Sequence, residues 1–536
     1  MTISRRTLLK RGIVAGTMLS VPSVLRANTA ANDLRTVHWI PDDNLQVFDP
    51  LLTTTSITTQ HALAIYDTLF APDSQLMPKP QMVEKWAVSE DKKTYTFKLR
   101  DGLNFHDGSP VTAADCIASI RRWGGADSGG KLLLERTRDV SKRDHNTFEI
   151  VLKEPFGLLI DTLASAGLYL AIMREKDANR PATELATANI GSGPFIFNEA
   201  LAKPGASFTY DRNERYVPRK EAPDGYAGGK VVQVDRVIWD NIADQQTALA
   251  ALQAGEADFL QTPAADLYAV IQTDPNLELQ LMNKSGRNMF MRMNCLQKPF
   301  SHVKARQAML HLIDQEAMMR ASGFDPRYVK TVTSIFGNTT PYSNDENTGW
   351  FRKGGDPEKA RQLFKEAGYA GEKVVILQPT SWPEASNASQ LLAATLGKIG
   401  VNAELAPSEW GAVVARRANK GSVEDGGWSI FLSDWTDAKL GNPLGVPFFL
   451  ANGDKAWFGW PKNEEYENLR GKWSDVDTLA GGQALARKMQ GIWWDFVGAV
   501  MLGHYFAPSA HRTTLTGLIP VLSSALPMWN MRKTSA

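Results

Sequence analysis

Short alternating strands and glycine-stopped helices follow one another along this chain, and their order restricts it to an α/β architecture with added α+β parts. Residues 94–99, Thr-Tyr-Thr-Phe-Lys-Leu, alternate as a half-buried strand does, and residues 147–152 and 231–239 do the same. Asp101-Gly102 and Asp107-Gly108-Ser109-Pro110 are turns. Thr112 then caps a helix, with Asp115 three residues on and Cys116, Ile117, Ile120 and Trp123 on one face. Further helices are predicted over 244–254, stopping at Gly255, over 303–321, and from Asp356-Pro357 to Ala367, stopping at Gly368. A last one spans 386–399 and closes at Gly400. Strands are predicted at 195–197, 256–260, 288–294, 374–377 and 401–405. Pro- and Gly-rich stretches at 218–229 and 338–355 are surface loops or lobe junctions.

The length, 536 residues, exceeds what one core sustains, so two or three lobes are expected. A formal net charge of +1 argues against a nucleic-acid binder, whose basic excess meets phosphates. The most apolar stretch of the mature chain, 492–506, contains Asp495 and His504 and is too short to span a bilayer.

The first thirty residues form an address. Arg5-Arg6, with Leu8-Leu9 and Lys10 behind them, precede a mildly apolar stretch at 12–24 and small residues at Ala27, Ala30 and Ala31. That layout resembles a twin-arginine signal peptide, 1–31, cleaved near residues 27–31, and it places the mature chain in the periplasm.

Motifs of catalysis are missing. The eight histidines, at 38, 61, 106, 145, 302, 311, 504 and 511, form no HxH or HExxH pair, so no metal site is expected. The two cysteines, Cys116 and Cys295, form no CxxC pair and read as buried free thiols, with a disulfide between them the alternative in an oxidising compartment. Gly191-Ser192-Gly193-Pro194 is neither GxGxxG nor GxSxG, and Ser301–Lys304 matches S-x-x-K without the other elements of a serine acylase. No nucleophile–base pair emerges, and no catalytic residue or cofactor is expected. The tryptophans are more telling: nine of the 15 lie at 382, 410, 428, 435, 457, 460, 473, 493 and 494. Aromatic walls with a few placed polar groups suit a ligand cleft. Trp410, between a strand and a helix, and Trp435, in the polar stretch Ser433-Asp434-Trp435-Thr436-Asp437 read as a loop, are the two best candidates.

Taken together these stretches resemble the family 5 extracytoplasmic solute-binding proteins, the oligopeptide-, dipeptide- and nickel-binding group of ABC importers. The resemblance is carried by TYTFKLRDGLNFHDGSPVTAAD at 94–115, GSGPF at 191–195, QAGEAD at 253–258, the stretch 294–314 and DPEKARQLFKEAGY at 356–369, in family order. It implies a bilobal periplasmic-binding-protein fold of type II with an extra domain: domain I from 33–66, 188–283 and 508–536, domain II from 67–187, and domain III from 284–507. It implies a monomer that captures a di- or oligopeptide, or a peptide-like, opine-like molecule, between lobes I and III and delivers it to permease subunits. A metal chelate, haem or saccharide is the alternative within the family; an exported periplasmic enzyme is the alternative outside it. By position, Thr54, Thr55 and Ser56 line the domain I wall after the Asp49-Pro50 turn. Trp410 and Trp435 are pocket aromatics, Arg417 meets a carboxylate, and Asp434 or Asp437 meets an amine.

Overall fold

The computed structural model describes residues 35–164, 168–476 and 478–535, so the expected signal segment lies outside the described residues. The alternation at Thr94–Leu99 is realised with Tyr95, Phe97 and Leu99 buried. That strand sits inside a four-stranded antiparallel sheet, between Val83–Val88 and Thr147–Leu152, with Thr137–Lys142 at the far edge. The helix Ala113–Ala126 covers it and buries Cys116, Ile117, Ile120 and Trp123. Asp115 fixes the helix start by accepting from the Thr112 N–H (2.8 Å) and hydroxyl (2.7 Å).

Two larger mixed sheets carry the rest. The seven-stranded sheet runs Leu277–Gln280, Ser509–Arg512, Phe259–Leu260, Thr36–Ile40, Arg236–Asp240, Ser207–Arg212, Phe195–Phe197. Within it Thr36–Ile40 is parallel to both neighbours. The six-stranded sheet runs Val329–Lys330, Val500–Tyr505, Arg287–Met293, Ile430–Thr436, Val374–Pro379, Ala403–Ser408, with the last three parallel. Helices flank both sheets, the mixed α/β fold that the element order predicts. Parallel strands bring their carboxyl ends to one sheet edge, where ligand crevices form in such folds. The residues at those edges are therefore Pro41–Asn44 in one sheet and Thr380–Glu384, Glu409-Trp410 and Asp437 in the other.

The chain passes from the first sheet to the second between Gln280 and Arg287 and returns between Tyr505 and Ser509. Arg287 and Tyr505 are direct ladder partners, so the two crossings lie side by side.

Three elements differ from their sequence pattern. The strand expected at 231–239 is regular only over Arg236–Asp240, because Val231 and Asn530 instead bond each other's backbone and amide groups. The helix expected at 303–321 is two, Val303–Leu312 and Gln315–Ser322, because the Asp314 carboxylate accepts from the Ala317 N–H and starts a new one. Trp435 lies in the strand Ile430–Thr436 and not in a loop, since it is the ladder partner of Asn288 on the antiparallel strand Arg287–Met293. Both cysteines are free. Among the described residues no helix is long and apolar enough to cross a membrane.

Asp49 joins the four-stranded body to the seven-stranded one. Its carboxylate accepts from Arg122 Nη2 (2.6 Å) and Nη1 (3.3 Å) on the helix Ala113–Ala126, and from the Leu51 and Ala186 N–H groups. Both side chains of the pair are almost fully buried. Removing one partner of such a pair strands the other charge out of water. Asp49→Ala is therefore expected to lower unfolding free energy by about 3–5 kcal/mol, read as a lower urea midpoint. Loss of under about 1 kcal/mol, the range of an exposed ion pair, would refute this anchoring role.

Candidate functional site

Thr54 is exposed, and Thr55 and Ser56 are partly buried at the start of the helix Ser56–Ile65. The Thr55 hydroxyl reaches Thr58 (3.1 Å), whose own hydroxyl bonds the Val47 carbonyl (2.6 Å), so the loop before the helix is held from within. Ser56 and Thr59 on this helix line a cavity that also contains Lys439, which follows the strand Ile430–Thr436 of the six-stranded sheet. Of Thr54, Thr55 and Ser56, only Ser56 thus faces a cavity shared with the second body.

On the second body the tryptophans make a continuous floor. Trp410 starts the helix Trp410–Arg416 and meets Trp382 edge-on at 5.3 Å. The Arg417 guanidinium carbon lies 5.5 Å from the Trp410 ring centre, 5.1 Å from Phe431, 5.5 Å from Trp457 and 4.9 Å from Phe458. Trp457 continues to Trp435 at 6.2 Å between ring centres, and the Lys439 ammonium sits 4.9 Å from the Trp435 ring. Arg417 is only 8% exposed, yet its side chain makes no hydrogen bond or ion pair among the described residues. Burial lowers its pKa to about 10. Aromatic faces attract the cation but leave its five N–H donors unmet, and a carboxylate is what matches that fork. The Trp435 indole N–H is likewise buried without a partner.

The two candidate aspartates differ. Asp434 holds Arg287 through two bonds (2.5 and 2.6 Å) and accepts from the Tyr505 hydroxyl. Asp437 is not open to the cleft: it is fully buried, and it accepts from the Asn288 amide and from the Asn338 and Thr339 N–H groups (2.8 and 2.7 Å). Both carboxylates are thus occupied by the protein's own donors, and Asp434 is the less buried of the two.

Asp42, Asp43 and Glu384 escaped the sequence reading. Asp42 and Asp43 are exposed, and crowding by the surrounding protein raises their carboxyl pKa values, that of Asp42 to about 6. Asp42 is reached by the charges of Arg287 and Asp434 from the other sheet, but it has no direct ion pair among the described residues. Glu384 is raised by the same desolvation. The signal for these residues was positional: each falls just beyond the carboxyl end of a parallel strand. Among the described residues no group of three or more His, Cys, Asp or Glu is placed to hold a metal ion.

Comparison with known proteins identifies the family and agrees with the fold. Residues 77–457 match the bacterial extracellular solute-binding proteins, family 5, middle region. The chain is 62% identical over 536 residues to a probable peptide ABC transporter periplasmic-binding protein, y4tO, of Sinorhizobium fredii, covering 99% of this chain and 100% of that one. It is 26% identical over 525 residues to the glutathione-binding protein GsiB of Escherichia coli, covering 96% of each. Its fold superposes with a TM-score of 0.78 on Helicobacter pylori DppA, a periplasmic binding protein solved with the peptide STSA, at 21% identity over 95% of this chain and 100% of that one. The chain belongs to family 5 of the bacterial extracellular solute-binding proteins.

Proposed function

We propose that this protein is the non-catalytic, periplasmic capture component of an ABC importer, exported by a twin-arginine signal, and that its cargo is a peptide or a peptide-like amphoteric molecule. The observation that carries this reading is Arg417, a buried guanidinium boxed by aromatics and lacking any carboxylate of its own. The relatives support it: one is named for peptides and another for glutathione. In this reading the three sheets are the cores of three domains: 33–66 with 188–283 and 508–536, then 67–187, then 284–507. The cargo carboxylate meets Arg417, its apolar body lies on Trp410, Trp457 and Trp435, and its ammonium meets the carboxylate of Asp42, with the Arg287-bound Asp434 adding its charge from the other sheet. Thr54, Thr55 and Ser56 close the opposite wall.

Closure works through the paired crossings. Segments 281–286 and 506–508 act as the hinge, and the cargo stabilises the closed state by contacting both walls at once. A monomer then presents its closed form to the permease. No covalent step is required of any residue.

Three outcomes are expected. A matched peptide at a hundred times its Kd should add about 2.7 kcal/mol to folded stability, measured by thermal shift. Arg417→Met should weaken binding of a peptide with a free carboxyl end about tenfold or more and leave its C-terminal amide unaffected; equal loss for both would refute the assignment.

The third outcome concerns pH. With its carboxyl raised to about 6, Asp42 is largely protonated at pH 5 and charged at pH 7. Its folded-state pKa exceeds the unfolded one, so without cargo this group's contribution to stability declines as pH rises from about 4 to 6. An ammonium partner favours the charged form, so affinity should rise about tenfold from pH 5 to pH 7. Calorimetry should find that slope in the wild type and its absence in Asp42→Asn. A slope retained in the variant would remove Asp42 from the amine site.

A further inference from the structure

The cavity beside Trp435 holds a second cation with no assigned partner. It is about 50 Å³ in volume, room for a small polar group, and it lies where all three sheet bodies meet. Ser56 and Thr59 come from the helix Ser56–Ile65, Leu163 and Tyr169 from the four-stranded body's connections, Ser523 from the C-terminal segment and Lys439 from the six-stranded body. No acidic side chain lines it among the described residues. Its other lysine, Lys230, is already bonded to Asp67 at 2.8 Å. The Lys439 ammonium has no hydrogen bond or direct ion pair among the described residues. The carboxylates whose fields reach it are committed elsewhere, Asp434 to Arg287 and Asp127 to the Gly130 and Leu168 N–H groups.

Arg417 and Lys439 therefore stand at the two ends of one aromatic strip. Arg417 packs on Trp457, Trp457 on Trp435, and Lys439 on Trp435. A single carboxylate satisfies one end and leaves the other cation in the strip without a counter-charge. Burial already lowers the Lys439 pKa to about 8, so an anion arriving there meets a cation with no better partner.

We infer that the cargo carries two anionic groups, one on Arg417 and one entering the cavity at Lys439, and that Lys439 selects an acidic side group over its neutral amide. This rests on the peptide-like reading and narrows it to amphoteric diacids: peptides with an aspartyl or glutamyl residue, or N-carboxyalkyl amino acids.

The test is calorimetric titration of the mature chain with matched pairs: Ala-Glu and Ala-Gln, Glu-Ala and Gln-Ala, Asp-Ala and Asn-Ala, and N-(1-carboxyethyl)-alanine with its mono-amide. The wild type should bind at least one diacid about tenfold or more tighter than its amide, the discrimination of one charge-assisted contact. In Lys439→Met that preference should fall to about unity, and in Lys439→Arg it should persist. A cooperative thermal unfolding transition like that of the wild type certifies that the variant is folded. Amides bound as tightly as acids by the wild type, or a preference that survives Lys439→Met, would overturn the inference and leave the peptide-like reading standing. If no member of any pair binds, the peptide-like reading falls and this one falls with it.

Discussion

The Arg287–Asp434–Tyr505 cluster is the point on which the arrangement turns. The chain enters the six-stranded body at Arg287 and leaves it at Tyr505, and these residues face each other on adjacent strands. Asp434, on the next strand, bonds both, and Arg287 also reaches Ser524 in the C-terminal segment (2.6 Å). Both connections between the large bodies therefore run through one small polar knot. The ends of the parallel strands, with their loops, become the facing walls.

Charge is used in two ways here. Asp49 with Arg122, Asp67 with Lys230, and Asp437 with its ring of amides are matched within the protein, and they hold bodies and loops in place. Arg417, Lys439 and Asp42 are unmatched although protein crowds them. Burying a charge without a counter-charge costs stability, so folding alone does not account for a cation as enclosed as Arg417; the partly buried Lys439 and the exposed Asp42 also lack a direct ion pair among the described residues. Their common location is the argument for a partner that comes and goes.

Much of the local structure was legible in the sequence because its causes are local. The Thr112–Asp115 box, proline at 357 and glycine after the helices at 255, 368 and 400 mark boundaries that the structure reproduces within a residue or two. The break at Asp314 was hidden because an apolar periodicity continues across it, and only the cap tells the two helices apart. Trp435 read as loop because Ser433, Asp434 and Asp437 around it are polar, whereas their polarity serves contacts between elements. The cleft carboxylates at 42, 43 and 384 and the cation at 439 were illegible for a related reason: what marks them is what they lack across the cleft, and spacing along a chain says nothing of that. The signal at Arg417 was readable only through resemblance, since an arginine in a helix is ordinary until its surroundings are known.

The seven-stranded sheet has a consequence for how the molecule is made. Its strand Ser509–Arg512 lies between Phe259–Leu260 and Leu277–Gln280, in the interior of the sheet. That slot stays vacant during synthesis until nearly the whole chain has left the ribosome. The strands of the six-stranded body, by contrast, all come from the continuous stretch 287–505. Domains generally fold as units during synthesis, and contacts distant in sequence form late. The unit translated in the middle is thus complete first, and the one begun at residue 36 is sealed last, by the strand that closes the gap between residues made some 230 positions earlier.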